Sequence, residues 1–334
     1  MADKAHYQTD LKLEEMEKHL SAIYSEAQKD IQKKAVAYAK TIDEKSEELL
    51  QAYKDAETET DRQKAKMAYI RFYRKLVKSK DFVSLSATVA DDLYKANVEA
   101  SAYINSQTPF IYALNYNYIN AEMAKDIDGF TPQEITDTEA EKYSGYTQQT
   151  VDRKKDTKWN KDNLKKSVLA GSLLLLGAYA IMKRSAKNAT EKNYNSAKMH
   201  SEGMGTDAEN KARLDGMYYA KYLGNKMSKI WISSGDNRVR HSHALLDGKE
   251  IPLDGTFDNG CKRPRDPNGA LEEICNCRCS LKYGVSGTEQ GQLRSARKGT
   301  VTGSYKKASS FKGTKSIEAP NITYKELMEW VKTQ

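Results

Sequence analysis

The sequence predicts a mainly α protein: an elongated helical N-terminal region, then a small, turn-rich α+β module, then an extended C-terminal arm. Three observations predict it. No glycine precedes Gly129, and Pro109 is the only proline in that span. Apolar residues recur there at steps of three and four. Further on, two histidines and all four cysteines fall within the 39 residues from His241 to Cys279.

Glycine and proline are the main helix breakers, so their near-absence over residues 1–128 favours long helices. Leu13, Met16, Leu20, Tyr24, Ala27, Ile31, Ala35, Tyr38 and Ile42 form one apolar stripe. The acidic stretch 55–61 reads as a turn, with Thr60 or Asp61 capping a second helix through Met67, Ile70, Tyr73 and Leu76. A third helix starts near Ser79 or Asp81, and Pro109 is expected to begin a fourth, rich in tyrosine. Twenty-one tyrosines against six phenylalanines suit half-wet packing surfaces of the kind proteins use to touch one another. The long-helix region is expected to fold apart from the Cys/His module.

Residues 129–163 hold Gly129, Pro132 and Gly145 and read as an irregular connector. Helix then runs over 164–224, with breaks near Gly203 and Gly205. Inside it, the run 168–182 is strongly apolar but short of the ~18–20 residues that cross a bilayer. Lys165, Lys166, Lys183 and Arg184 flank it on both sides, leaving no positive-inside bias. A buried or partner-covered helix is the expectation, a membrane-inserting segment the alternative. The compact α+β module occupies 225–285: Ile230, Trp231 and Ile232 read as a strand, and Asp247-Gly248 as a tight hairpin turn. Residues 286–334 form the basic arm, with a short terminal helix around Leu327, Trp330 and Val331.

Hydrophobic residues make up 39% and charged residues 30%, a balance favouring solvent-washed helices over one thick globule. The cysteines are too sparse for a disulfide scaffold, and the N-terminus lacks an apolar signal region, so synthesis in a reducing cytoplasm is expected. The net charge of +8 is concentrated: residues 151–200 carry 12 Lys and Arg against 4 Asp and Glu. Such a zone suits phosphate backbones or acidic partners.

Three cysteines stand on alternate residues, Cys275, Cys277 and Cys279. On a strand, alternate side chains share a face about 6–7 Å apart, so the outer two are too distant for one zinc ion. One ion can take an adjacent pair, with other ligands from elsewhere. Cys261, His241 and His243 are the candidates close in sequence. Four protein ligands would make a closed, structural Zn2+ site. The module is thus expected to be zinc-stabilised.

The order Trp231, Asp236, Arg238, Arg240, His243, Asp247, Gly248, Asn276, Cys277, Arg278, Cys279 resembles the hallmark of the Mu F-like head morphogenesis or minor capsid proteins of tailed bacteriophages. Arg213-Leu214-Asp215 stands where many members carry Arg-Thr-Glu. The resemblance favours His243, Cys277 and Cys279 as shared elements; Cys261 is then the choice for fourth ligand, with Cys275 or Asp266 as substitutes, and His241 is expected at the surface. It implies a structural, non-enzymatic minor capsid protein made in the host cytoplasm and carried in the virion, inside the head. There it would associate with the portal protein and other capsid components in procapsid assembly, DNA packaging or delivery. The long helices would dock, the basic segments would lie towards packaged double-stranded DNA, and no stable membrane association is expected. The rivals are a zinc-assisted hydrolase or nuclease and a zinc-binding DNA-associated regulator. Neither HExxH, GxSxG nor a Walker glycine loop is present.

Overall fold

The computed structural model describes residues 3–145, 148–285 and 323–333. It is mainly helical, with one small sheet. Most of the expected C-terminal arm lies outside the described residues; its terminal helix, α9 (Tyr324–Val331), lies within them.

The first helices follow the apolar stripe: α1 (Lys4–Lys54), α2 (Glu59–Leu76) and α3 (Lys80–Asp126). Thr58, rather than Thr60 or Asp61, caps α2, its hydroxyl accepting from Asp61 N. No helix starts at Pro109. α3 continues through it, because Ile104, Thr108, Ile111 and Tyr112 on either side are buried. That burial offsets the lost N–H and ring clash, which cost about 3 kcal/mol.

The expected connector is partly regular. α4 (Asp137–Tyr143) opens with a capping box between Thr136 and Glu139, and α5 (Arg153–Leu173) is capped by Asp152. The apolar run 168–182 is not one helix. It is the corner between α5 and α6 (Ala178–Tyr222), turned at Leu175 with φ +53. Among the described residues no helix is long and apolar enough to cross a membrane.

α6 runs unbroken through Gly203, Gly205 and Gly216, where the missing side chain leaves room for a neighbour. A Cβ on Gly203 would sit 2.3 Å from Arg265 Nη2, and one on Gly216 2.4 Å from Ile119 Cγ2. Gly216→Ala is therefore expected to cost about 1–3 kcal/mol through overpacking, although alanine favours helix. A lowered urea midpoint checks this; an unchanged one would mean that Ile119 yields freely.

The chain forms two compact units, and α1, α3 and α6 contribute to both. Unit 2 comprises Glu17–Tyr103 and Gln149–Lys198. Its core joins Ile31, Ala35, Tyr69, Tyr73, Phe82, Leu93, Leu164, Val168, Ile181 and Met182. Three of its asparagines pair with one another: Asn97 Nδ2 donates to Asn193 Oδ1 (2.8 Å), and Asn193 Nδ2 to Asn160 Oδ1 (2.8 Å).

Unit 1 comprises Met1–Met16, Ile104–Gln148 and Met199–Gln334. The ends of the long-helix region thus share a unit with the Cys/His module rather than folding apart from it. The sheet here is antiparallel in the order β2-β1-β3, with β1 (Met227–Ile232) central, β2 (Glu250–Pro252) and β3 (Ser280–Val285). Lys229 pairs with Ile251 on one side and Tyr283 on the other. The turn at Asp247-Gly248 is not a two-residue hairpin. A short helix, α7 (His241–Leu246), intervenes, and Gly248, at φ +76, turns the chain from it into β2. Gly248 N then donates to Trp231 O (2.8 Å).

Candidate metal centre

The last residue but one of β1 is Trp231, fully buried, whose ring meets His243 edge-on at 5.0 Å and Phe257 at 5.1 Å. The loop beyond it is held by its own polar residues. Asp247 Oδ1 accepts from Ser233 N (2.8 Å), and Asp236 takes a two-pronged contact from Arg278, Nη2 to Oδ1 at 2.8 Å and Nη1 to Oδ2 at 2.7 Å. Those bonds from Arg278 pull the Asp236 carboxyl down to about 2. Arg240 donates to Cys275 O. Arg238 is exposed and reaches only Asp236. The loop then enters α7, which carries His243 inward and leaves His241 exposed.

The other wall comes from the segment after α8 (Leu271–Ile274). Cys275 closes this helix and is exposed; Asn276 takes φ +53 and turns the chain. Cys275 is therefore not on the strand, and the alternation read from the sequence applies only to Cys277 and Cys279. These two precede β3 in extended chain and face one way. Asn210 of α6 secures them, its Nδ2 donating to Cys279 O (2.9 Å).

His243, Cys277 and Cys279 are buried, and their donor atoms all lie within 4.8 Å of one another. His243 Nδ1 is 3.7 Å from Cys277 Sγ and 3.4 Å from Cys279 Sγ. A tetrahedral zinc with bonds of ~2.3 Å to sulfur and ~2.0–2.1 Å to nitrogen spaces its donors about 3.4–3.8 Å apart. The residues present fit such an ion.

The two thiols also act on each other. Contact with Cys279 drives the Cys277 thiol far below its ordinary value, while the same contact, reinforced by burial, drives Cys279 up. A buried sulfur that readily sheds its proton is what a metal needs.

Behind the imidazole stands Glu273, which the sequence reading missed. Its Oε2 lies 3.0 Å from His243 Nε2, close but short of a well-aligned hydrogen bond. Ser242 Oγ donates to Glu273 Oε1 (3.1 Å) and Asn259 Nδ2 to Oε2 (3.1 Å). Burial raises the Glu273 pKa, but these bonds and the His243 contact outweigh it and hold the carboxyl low. A carboxylate at Nε2 favours the tautomer that leaves the Nδ1 lone pair free for a cation. Only Glu273's neighbourhood to the cysteines could have signalled this.

Cys261 is buried but lies outside the cluster. Its sulfur fits against Gly269, where a Cβ would come within 2.5 Å, and burial pushes its thiol up to about 11. Asp266 accepts from Lys262 N (2.7 Å) and Asn268 N (3.0 Å), bracing the intervening turn.

Residues 161–282 match the family described as Phage Mu protein F like protein. This stretch is Mu F-like. It takes in the whole motif and α6, including Arg213, which is fully buried. Over 74 residues, 21% of this chain and 24% of the relative, the chain is 36% identical to minor head protein GP7 of Bacillus phage SPP1. Over 113 residues it is 31% identical to the NAD(+)--arginine ADP-ribosyltransferase EFV of Enterococcus faecalis (strain ATCC 700802 / V583), covering 33% of this chain and 23% of that protein. The chain thus spans about a quarter of the length of either relative. No solved structure matches it.

Proposed function

We propose that the chain is a structural minor head protein of a tailed bacteriophage, carried inside the head and associated with the portal during procapsid assembly, DNA packaging or DNA delivery. The observation that carries this reading is the Mu F-like stretch, together with what its motif residues do. Trp231, Asp236, Arg240, Asp247, Gly248 and Arg278 all build the loop and walls around His243, Cys277 and Cys279, the three side chains that could hold a metal. They serve to hold a shape. The relative in Bacillus phage SPP1, a minor head protein, supports the same reading.

Zinc is the proposed ion, on His243, Cys277 and Cys279; Cys261, whose sulfur packs on Gly269 outside that triad, would have to turn to become the proposed fourth ligand. The ion would cross-link the module from α7 to β3, supplying stability that a three-stranded sheet lacks. A hydrolase would need a base facing the ion and an open ligand position. The carboxylate that touches the site, Glu273, instead sits behind the imidazole, held by Ser242 and Asn259. The proposed role is therefore not enzymatic.

The proposed partners are the portal and neighbouring capsid components, with double-stranded DNA against basic faces. Arg153, Lys154, Lys158 and Lys161 on the first turns of α5 form one such face. Contacts of that kind go to phosphates and weaken steeply with salt. Co-purification of the intact protein with assembled portal is the expected result. Failure to bind portal at low salt, as monomer and as ring, would overturn the reading.

A further inference from the structure

In unit 2, α5 and α6 pack antiparallel as a hairpin. Asn188 Nδ2 donates to Ser167 Oγ (3.1 Å), and Lys192 Nζ to Asn163 Oδ1 (2.8 Å). Ile181 fills the space beneath the corner so tightly that a Cβ on Gly171 would meet its Cγ1 at 3.0 Å. From α2, the Tyr69 hydroxyl donates to Leu176 O and fixes the turn. With the inside full, the remaining apolar side chains face water: Leu173 and Leu174 are each 56% exposed, and Tyr179 is 40% exposed.

Turns between helices are ordinarily polar, and adjacent exposed leucines mark a surface that something covers. The flanking charges say what. No Asp or Glu occurs between Asp162 and Glu191, whereas Lys165, Lys166, Lys183, Arg184 and Lys187 all lie there and are exposed. The nearer of these cations stand on both arms, about 8–12 Å behind the corner at ~1.5 Å per residue. Apolar groups of an interfacial protein sink ~5–10 Å below the headgroups, with cations left at phosphate level. The corner has that order and that depth. DNA would use the cations but has no place for the leucines.

We propose that the α5–α6 corner docks on the surface of an anionic lipid bilayer, with Leu173 and Leu174 inserted and the five cations on lipid phosphates. The attachment is peripheral, not a span, and it stands independently of the metal centre.

The test is sedimentation of the full chain with phosphatidylcholine vesicles, with and without phosphatidylglycerol. Binding at least about tenfold tighter to the anionic vesicles is expected, falling as salt rises. Leu173→Glu with Leu174→Glu should lower it about tenfold while helicity by circular dichroism is unchanged. Independently, a Leu174→Trp variant should be quenched by brominated lipid. Equal partition onto both vesicle types, or absence of quenching, would overturn the proposal. So would unchanged binding of the glutamate variant, or a corner whose leucines matter for DNA while vesicles are ignored.

Discussion

Purified under mild conditions, the wild-type protein is expected to carry about one zinc per chain, and Cys277→Ser or Cys279→Ser to lose it together with the fold of residues 225–285. The effect should be large, because structural zinc in small modules contributes about 10–16 kcal/mol. Little else holds these strands: β2 is three residues long, and the loop from Ser233 to Arg240 contains no helix or strand. His243→Ala should behave like the cysteine variants, since it removes the donor that reaches both sulfurs. Glu273→Gln should keep the fold but weaken the metal about 10–100-fold, as a group that orients a ligand rather than serving as one. His241→Ala and Cys275→Ser should be mild, because both side chains are exposed. Cys261→Ser separates two roles: a proposed ligand would lower zinc content, whereas a packing thiol would only loosen the contact with Gly269. Atomic absorption with near-ultraviolet circular dichroism reads all of these. A zinc-free wild-type protein with the module intact would leave the thiols as ordinary core residues.

The parts of this fold legible in the sequence are those whose cause is local. The three/four periodicity of α1 comes from side chains within a turn of one another, so Met16, Leu20, Tyr24 and Ile31 were readable as core, and they are buried. Where distant packing overrides local preference, the reading failed. Pro109 sits inside α3 because its neighbours are buried, and Gly203 and Gly205 sit inside α6 because Arg265 and Leu13 come close to them. The run 168–182 looked like one helix because hydrophobicity does not reveal a corner. His243, Cys277 and Cys279 were legible because metal ligands are drawn from few residue types and the motif spacing marked them. Cys275 misled, since alternation implied strand and only the backbone turn at Asn276 takes it away. Least legible of all was the partnership between Asp3 and Arg213, 210 residues apart.

That partnership gives the second large effect: Arg213→Met is expected to destabilise unit 1 by about 3–5 kcal/mol, the range for stripping one partner from a buried ionic cluster. Arg213 is fully buried, and its guanidinium uses all its N–H groups. Nε donates to Asn115 Oδ1 (3.1 Å), Nη1 to Asp3 Oδ2 (2.5 Å) and Leu281 O (3.0 Å), and Nη2 to Asp3 Oδ1 (3.0 Å). Nη2 also lies 3.0 Å from Glu209 Oε1. One side chain thus joins the N-terminus, α3, α6 and β3. Methionine would fill the space but leave Asp3 without its countercharge and Glu209 with His6 alone. Lysine could not replace the planar fork, so Arg213→Lys should recover only part of the loss. The pH dependence identifies the charges responsible. Burial raises the Asp3 pKa, but Arg213 outweighs it and leaves the carboxyl below its ordinary 3.8. Its stabilising contribution is therefore present above about pH 3.8 and is lost as pH falls through the lower folded value. Burial opposes protonation of His6, but the hydrogen bond and charge of Glu209 overcome it and raise the pKa above 6.5. That contribution is whole below pH 6.5 and fades as pH rises through the folded value. The wild type should hold both between these limits. In Arg213→Met the main depression of the Asp3 pKa is gone and only His6 still lowers it, so the deficit relative to wild type should shrink as pH drops below 3.8. Urea unfolding followed through tryptophan fluorescence measures this, and a deficit under about 1 kcal/mol at pH 6, or one that does not shrink in acid, would show that Arg213 acts by packing alone.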